Sequence, residues 1–181
     1  MKKNLVALLL VLVVVSFGLF ADASEKSFQV ETTIAPTNDM KLVTASVTTP
    51  VEYDDATAFG GTVTYNGTSY TAFPYIAAKS NSRGGFTITM TAKAMASQNE
   101  TGTKSYIGYK VSAGDSSITV LKGDADAAVA DPDSKKVIVT GAQSVLHAAS
   151  EEVSIVITEA DYDNALQETY VGTITFNFQA N

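Results

Sequence analysis

Apolar and polar residues alternate with a period of two along most of the chain. Residues 86–92 and 170–178 alternate most strictly, and threonine fills many of the polar positions. Successive side chains of a strand point to opposite faces, so this pattern predicts half-buried β-strands. Weaker alternation predicts further strands over residues 28–34, 42–47, 62–65, 69–73, 106–111, 117–121, 137–140 and 153–157.

Turn-forming residues separate these segments. Asn66-Gly67 lies between two of them and predicts a hairpin, because both residues tolerate positive φ. Pro36 and Asn38-Asp39 predict a break after the first segment. Turns every 8–12 residues or so are typical of an antiparallel sandwich or barrel. The shared alternation predicts one core lined by Phe86, Ile88, Met90, Val153, Ile155, Ile157, Ile174, Phe176 and Phe178.

One short helix is predicted among the strands. Thr158 is positioned to cap residues 159–166, with Asp161 at the capping-box position. The alanine-rich stretch 123–131 fits either a loop or a short helix.

The first 23 residues have the features of a secretory signal peptide. Lys2 and Lys3 precede an apolar run over residues 5–15, and Ala21-Asp22-Ala23 predicts cleavage before Ser24. An uncleaved membrane anchor is the alternative. We therefore predict a signal peptide (1–23), an N-terminal strand (24–35) and one β-domain (36–181). The product is expected to be exported to the periplasm, the cell surface or the medium, with no integral membrane segment after cleavage.

Composition removes several classes of function. The 181 residues carry a net charge of −7, with one histidine and no cysteine. Disulfides, thiolate metal sites and cysteine nucleophiles are thereby excluded. Nucleic acid is not an expected partner, because an acidic chain without a basic stripe cannot neutralise phosphates.

Few residues suggest chemistry, and we expect neither enzymatic activity nor a cofactor. His147 could act as a base for Ser144 or Ser150, but neither serine lies in a nucleophile motif. Asp54-Asp55 and Glu151-Glu152 are expected to be solvated. The densest acidic patch comprises Asp124, Asp126, Asp131 and Asp133. It is not an EF-hand loop, because the glycine and glutamate required at the sixth and twelfth positions are missing. A looser calcium site remains an alternative to a solvated loop.

Aromatic residues and sequons complete the candidates. Tyr70, Phe73 and Tyr75 flank Pro74 and are expected in the core, with an exposed patch for a sugar or a protein partner as the alternative. Asn66 and Asn99 begin glycosylation sequons, which matter only in a host that glycosylates.

The two ends of the β-region resemble a fimbrial subunit. Residues 25–32 open with a charged pair and an alternating strand, and residues 170–176 form a Tyr-x-Gly strand. Both features are similar to the cysteine-free major pilins of the class 5, alternate-chaperone fimbriae. The resemblance implies an incomplete immunoglobulin-like sandwich, a periplasmic chaperone and a head-to-tail polymer of the chain itself. Its donor strand would be formed by Phe28, Val30, Thr32 and Ile34.

Three functions remain open on this basis. The first is a structural subunit of a surface fibre that polymerises by β-strand addition. The second is a soluble exported module for ligand binding or adhesion, in which residues 28–34 pair within their own sheet. The third is a small outer-membrane barrel, which the shortness of several predicted strands disfavours.

Overall fold

A computed structural model describes residues 29–98, 104–121 and 134–181. The predicted signal peptide, Phe28, the Asn99 sequon and the acidic patch of residues 124–133 lie outside this range. The described residues form nine strands and two short helices. The strands are β1 (Asn38–Val43), β2 (Tyr75–Ser80), β3 (Phe86–Ser97), β4 (Tyr106–Ile107), β5 (Tyr109–Ala113), β6 (Ser116–Val120), β7 (Lys135–Val139), β8 (His147–Val156) and β9 (Tyr170–Ala180), and the helices are α1 (Pro50–Asp55) and α2 (Glu159–Asp163).

The strands pair into two antiparallel sheets. One sheet has the order β1-β2-β8-β5-β6, and the other is built around β3. Thr87 of β3 pairs with both Val139 of β7 and Gln179 of β9, so these two strands occupy opposite edges of β3. Strand β4 pairs with the far end of β3. The prediction of an antiparallel all-β sandwich is confirmed.

The main core lies between the two sheets. Phe86, Ile88 and Met90 are fully buried, and Val153 is nearly so, as the alternation predicted. The other predicted core residues are half-buried and pack against this cluster: Ile155, Ile157, Ile174, Phe176 and Phe178.

A second apolar cluster lies on the outer face of the five-stranded sheet. Its largest member is Tyr53 of α1, which is buried against Val43, Val47, Ala77 and Ala148. Helix α1 was not predicted, although Thr49, Pro50 and Glu52 are its start signals. Thr49 Oγ1 accepts a hydrogen bond from the Glu52 amide at 3.2 Å, and the Glu52 carboxylate accepts one from the Thr49 amide at 3.0 Å.

The second helix was predicted with the right cap but too great a length. Thr158 caps α2 by accepting from the Asp161 amide at 3.1 Å, and the helix ends at Asp163 rather than at residue 166. Among the described residues, no helix is long and apolar enough to cross a membrane.

Several strand predictions in the first half of the chain were wrong. Residues 29–34 form no strand, and the expected break at Asn38-Asp39 is instead the start of β1, which ends at Val43. The hairpin at Asn66-Gly67 has a single bridge, between Tyr65 and Tyr70. The Asn66 side chain accepts from the Thr68 and Ser69 amides. The backbone amides of Asn66 and Thr71 donate to the Ser69 and Thr64 carbonyls, so the predicted turn forms although no named strand flanks it.

Candidate functional site: an open sheet edge and an exposed arm

Strand β9 has only one strand neighbour among the described residues. It pairs with β3 over its whole length, from Tyr170 to Ala180, and its other edge carries no strand. An eleven-residue strand with a free edge presents a row of backbone amides and carbonyls to an incoming strand. Such an edge is a template for pairing with another chain.

The inward side chains of β9 are incompletely covered. Ile174, Phe176 and Phe178 are half-buried, whereas the inward residues of neighbouring β3 are fully buried. Phe178 contacts Phe86 with 5.3 Å between ring centroids, so β9 does face the core. The apolar surface along β9 therefore lacks part of the cover that a complete sandwich provides.

The uncovered surface is on the β1 side of the sandwich. At the opposite side, Ser116 of β6 donates a hydrogen bond to the Lys136 carbonyl of β7 at 2.6 Å, which joins the two sheets. At the β1 side, Met40 and Leu42 are half-buried and pack on the same core cluster as the β9 side chains. We call this region, flanked by β1 and β9, the open groove.

Residues 29–34 carry the period-two pattern but pair with no strand in the part of the chain that the structure describes. They belong to a structural unit separate from Ala35–Asn181. Val30 and Ile34 are 82% and 80% exposed, and Thr32 between them is exposed as well. We call residues 28–34 the arm. Over residues 29–34, the apolar side chains are therefore not covered by any described residue.

Asn81 fixes the point at which the arm joins the β-domain. Its Oδ1 accepts from the Thr37 amide at 2.7 Å, and its Nδ2 donates to the Ala35 carbonyl at 2.9 Å. The Asn81 amide also donates to the Thr37 carbonyl at 3.0 Å. The chain is therefore held to the domain from Ala35 onwards. No sequence motif indicated this role for Asn81.

An aromatic cluster lies apart from both cores. The Tyr65 ring stacks on Tyr70 at 4.5 Å and meets the edge of Tyr162 at 5.1 Å, while Tyr70 lies 5.3 Å from Phe73. All four rings are partly exposed. The expectation that Tyr70 and Phe73 are core residues was therefore wrong. Tyr75 instead packs against the second apolar cluster.

Hydrogen bonds and charges shape this cluster. Tyr65 Oη donates to the Gly67 carbonyl at 2.8 Å, and Tyr70 Oη accepts from the Ile157 amide at 2.6 Å. Desolvation raises the pKa of Tyr65, and Tyr70, Glu159, Tyr162 and Asp163 raise it further. Both carboxylates belong to α2, the helix that also carries Tyr162.

The sole histidine has no catalytic arrangement with the candidate serines. His147 and Ser150 lie three residues apart on β8 and so point to opposite faces of the sheet. Ser150 Oγ donates to the Val47 carbonyl at 2.9 Å and accepts from its amide at 2.7 Å, so it anchors the segment before α1. Ser144 is an exposed loop residue.

The paired acids also separate into different surroundings. Asp54 forms an ion pair with Lys79, and Glu152 is exposed. Glu151 pairs with the inward residue Ile76 and therefore faces between the sheets, where burial and then Asp115 raise its pKa. Within the described ranges, no group of three acids, histidines or cysteines could hold a metal ion.

Comparisons with known protein families, with curated proteins and with solved structures find no match.

Proposed function

We propose that this protein is an exported structural subunit of a surface fibre, polymerising by β-strand addition. In this proposal the arm of one copy pairs with the free edge of β9 in the next copy. Val30, Thr32 and Ile34, with Phe28, would cover the apolar surface left in the open groove. A head-to-tail contact of this kind does not close on itself and so builds a fibre.

The free edge of β9 is the observation that carries the proposal. It combines backbone groups that pair with no described strand with the half-covered side chains Ile174, Phe176 and Phe178. An alternating strand would pair with the backbone groups of this edge and would cover its half-buried side chains with its own apolar face. The arm has that alternation, and its residues 29–34 pair with no other described strand.

The arm's two faces allow a matched test. Val30→Asp and Ile34→Asp place a charge on the face that would enter the groove, whereas Thr33→Asp places the same charge on the opposite face. We expect the first two to abolish polymers of the chain beginning at residue 24, since an unpaired charge would be buried. Thr33→Asp should polymerise normally. The measurement is size-exclusion chromatography with light scattering, followed by electron microscopy.

Two results would contradict the proposal. One is a chain that remains monomeric at all concentrations without substitution. The other is polymerisation that Val30→Asp and Thr33→Asp affect equally, because pairing by the apolar face requires them to differ.

A binding or adhesion module is the second candidate, and the aromatic cluster favours it. Exposed tyrosine rings beside carboxylates offer stacking faces and hydrogen-bond acceptors to a sugar. Glycan binding to the monomer that is lost in Tyr162→Ala, with no polymer under any condition, would favour this function over the fibre.

A further inference from the structure

The two ends of the sandwich have different surfaces. The arm end is formed by the loops 35–37, 81–85 and 140–146, which are joined by the hydrogen bond from the Gln143 amide to the Arg83 carbonyl at 2.9 Å. Val145 and Leu146 are exposed here. Arg83 is the one charged side chain in these described loops, and it is exposed.

The opposite end carries the aromatic cluster. Phe73 lies two residues before the start of β2, and α2 begins three residues after the end of β8, so both lie where these strands are farthest from the arm end. Glu159 and Asp163 are exposed on α2, the helix that carries Tyr162, and Leu166 is 63% exposed. The carboxylates of α2 at the aromatic end and the guanidinium of Arg83 at the arm end thus carry opposite charges.

Only a short connection would join an arm seated in a neighbouring copy to its own β-domain. Asn81 holds Ala35 and Thr37 to the domain, so the free arm ends at Ile34. An arm seated in a neighbour's groove therefore places its own arm end directly beside that neighbour. A linker of one or two residues spans less than about 7 Å.

The direction of the arm decides which ends meet. Strand β9 runs towards the arm end, where Ser82 Oγ donates to the Asn181 carbonyl at 2.7 Å. An arm antiparallel to β9 leaves the groove at the aromatic end, so unlike ends meet at every junction. A parallel arm would leave at the arm end, where the acceptor's own arm also emerges, and like ends would collide.

We propose that the aromatic end of one copy packs against the arm end of the next, a contact that rests on the fibre function proposed above. The partner is a second copy of this chain. Arg83 meets the carboxylates of Glu159 and Asp163, and Val145 and Leu146 cover the aromatic rings. This contact sets the stiffness and lifetime of the fibre, whereas the arm provides the connection.

Charge reversal and its rescue test the contact. Arg83→Glu and Asp163→Lys should each shorten fibres and speed dissociation on dilution, by roughly two- to fivefold for an exposed ion pair. The double variant Arg83→Glu with Asp163→Lys should regain the original lifetime. Val145→Ser should act like the single reversals, and Lys135→Glu, exposed on β7 opposite Met90 in the middle of β3, is the control.

A second measurement separates this contact from strand addition. The full chain carrying Val30→Asp and Ile34→Asp keeps a groove but cannot donate, and it should bind a labelled peptide of residues 24–34 equally well with or without Arg83→Glu. Fibres whose lifetime is unchanged by the reversals overturn the end-to-end contact alone. Absence of peptide binding and of any polymer overturns the fibre function and this contact together.

Discussion

At the scale of single residues, Glu151 lies in surroundings that disfavour its ionised form. It is an acid facing the interior from β8, and burial followed by the charge of Asp115 raises its pKa above 4.5. A raised pKa means that the folded state binds the proton more tightly than the unfolded state does. Stability should therefore fall as the pH rises from 4.5 through the raised pKa.

Glu151→Gln removes this cost. We expect a higher free energy of unfolding than wild type at pH 7, with the gain disappearing below pH 4.5, as measured by urea denaturation across pH. Glu152→Gln removes the same charge from the exposed neighbour and should leave stability unchanged. Equal effects of the two variants at pH 7 would show that the position of Glu151 between the sheets is unimportant.

At the scale of elements, α1 depends on its cap. The helix has only six residues, and it holds Tyr53 over the second apolar cluster. Thr49→Ala leaves the Glu52 amide without its partner and should cost about 1 kcal/mol of unfolding free energy. Thr49→Ser keeps the hydroxyl and should stay near wild type in the same denaturation experiment. Identical losses in both would mean that the cap contributes nothing.

Strand β9 provides a second prediction at this scale. Ile174 is half-buried against the core, whereas Thr175 is exposed on the other face. Ile174→Asp should destabilise by several kcal/mol, since an unpaired charge would enter apolar surroundings. Thr175→Asp should change stability by less than about 0.5 kcal/mol. Similar melting temperatures for the two variants would contradict the inward orientation of Ile174.

At the scale of the whole molecule, filling the open groove should stabilise the domain. A ligand that binds only the folded state adds about 2.7 kcal/mol at one hundred times its dissociation constant. The peptide 24–34 should therefore raise the melting temperature of the full chain that carries Val30→Asp and Ile34→Asp. A peptide with those same two substitutions should have no effect, and a shift caused by both peptides would indicate non-specific binding.

The sequence by itself determined the strands whose pattern is local. In 86–92 and 170–178 every second residue is apolar, so one face of each strand is apolar and is the face that a sandwich buries. Phe86, Ile88 and Met90 could therefore be assigned to the core from the sequence. The cap at Thr158 was equally predictable, because its partner Asp161 is three residues away. The alternation also identified the segment of Val30 and Ile34 as a separate strand-like stretch, and it left open whether this stretch pairs within its own sheet or with another chain.

Only the tertiary structure decided which edge stays open. Pairing of β9 with β3 joins residues about ninety positions apart, as Phe86 and Ala180 show, and no local pattern encodes the absence of a further neighbour. The clamp by Asn81 and the aromatic cluster also join segments distant in the chain. The alternation of a strand specifies its two faces, while its two edges consist of the same backbone groups at every residue. Occupation of an edge therefore depends on the strand that the fold brings beside it.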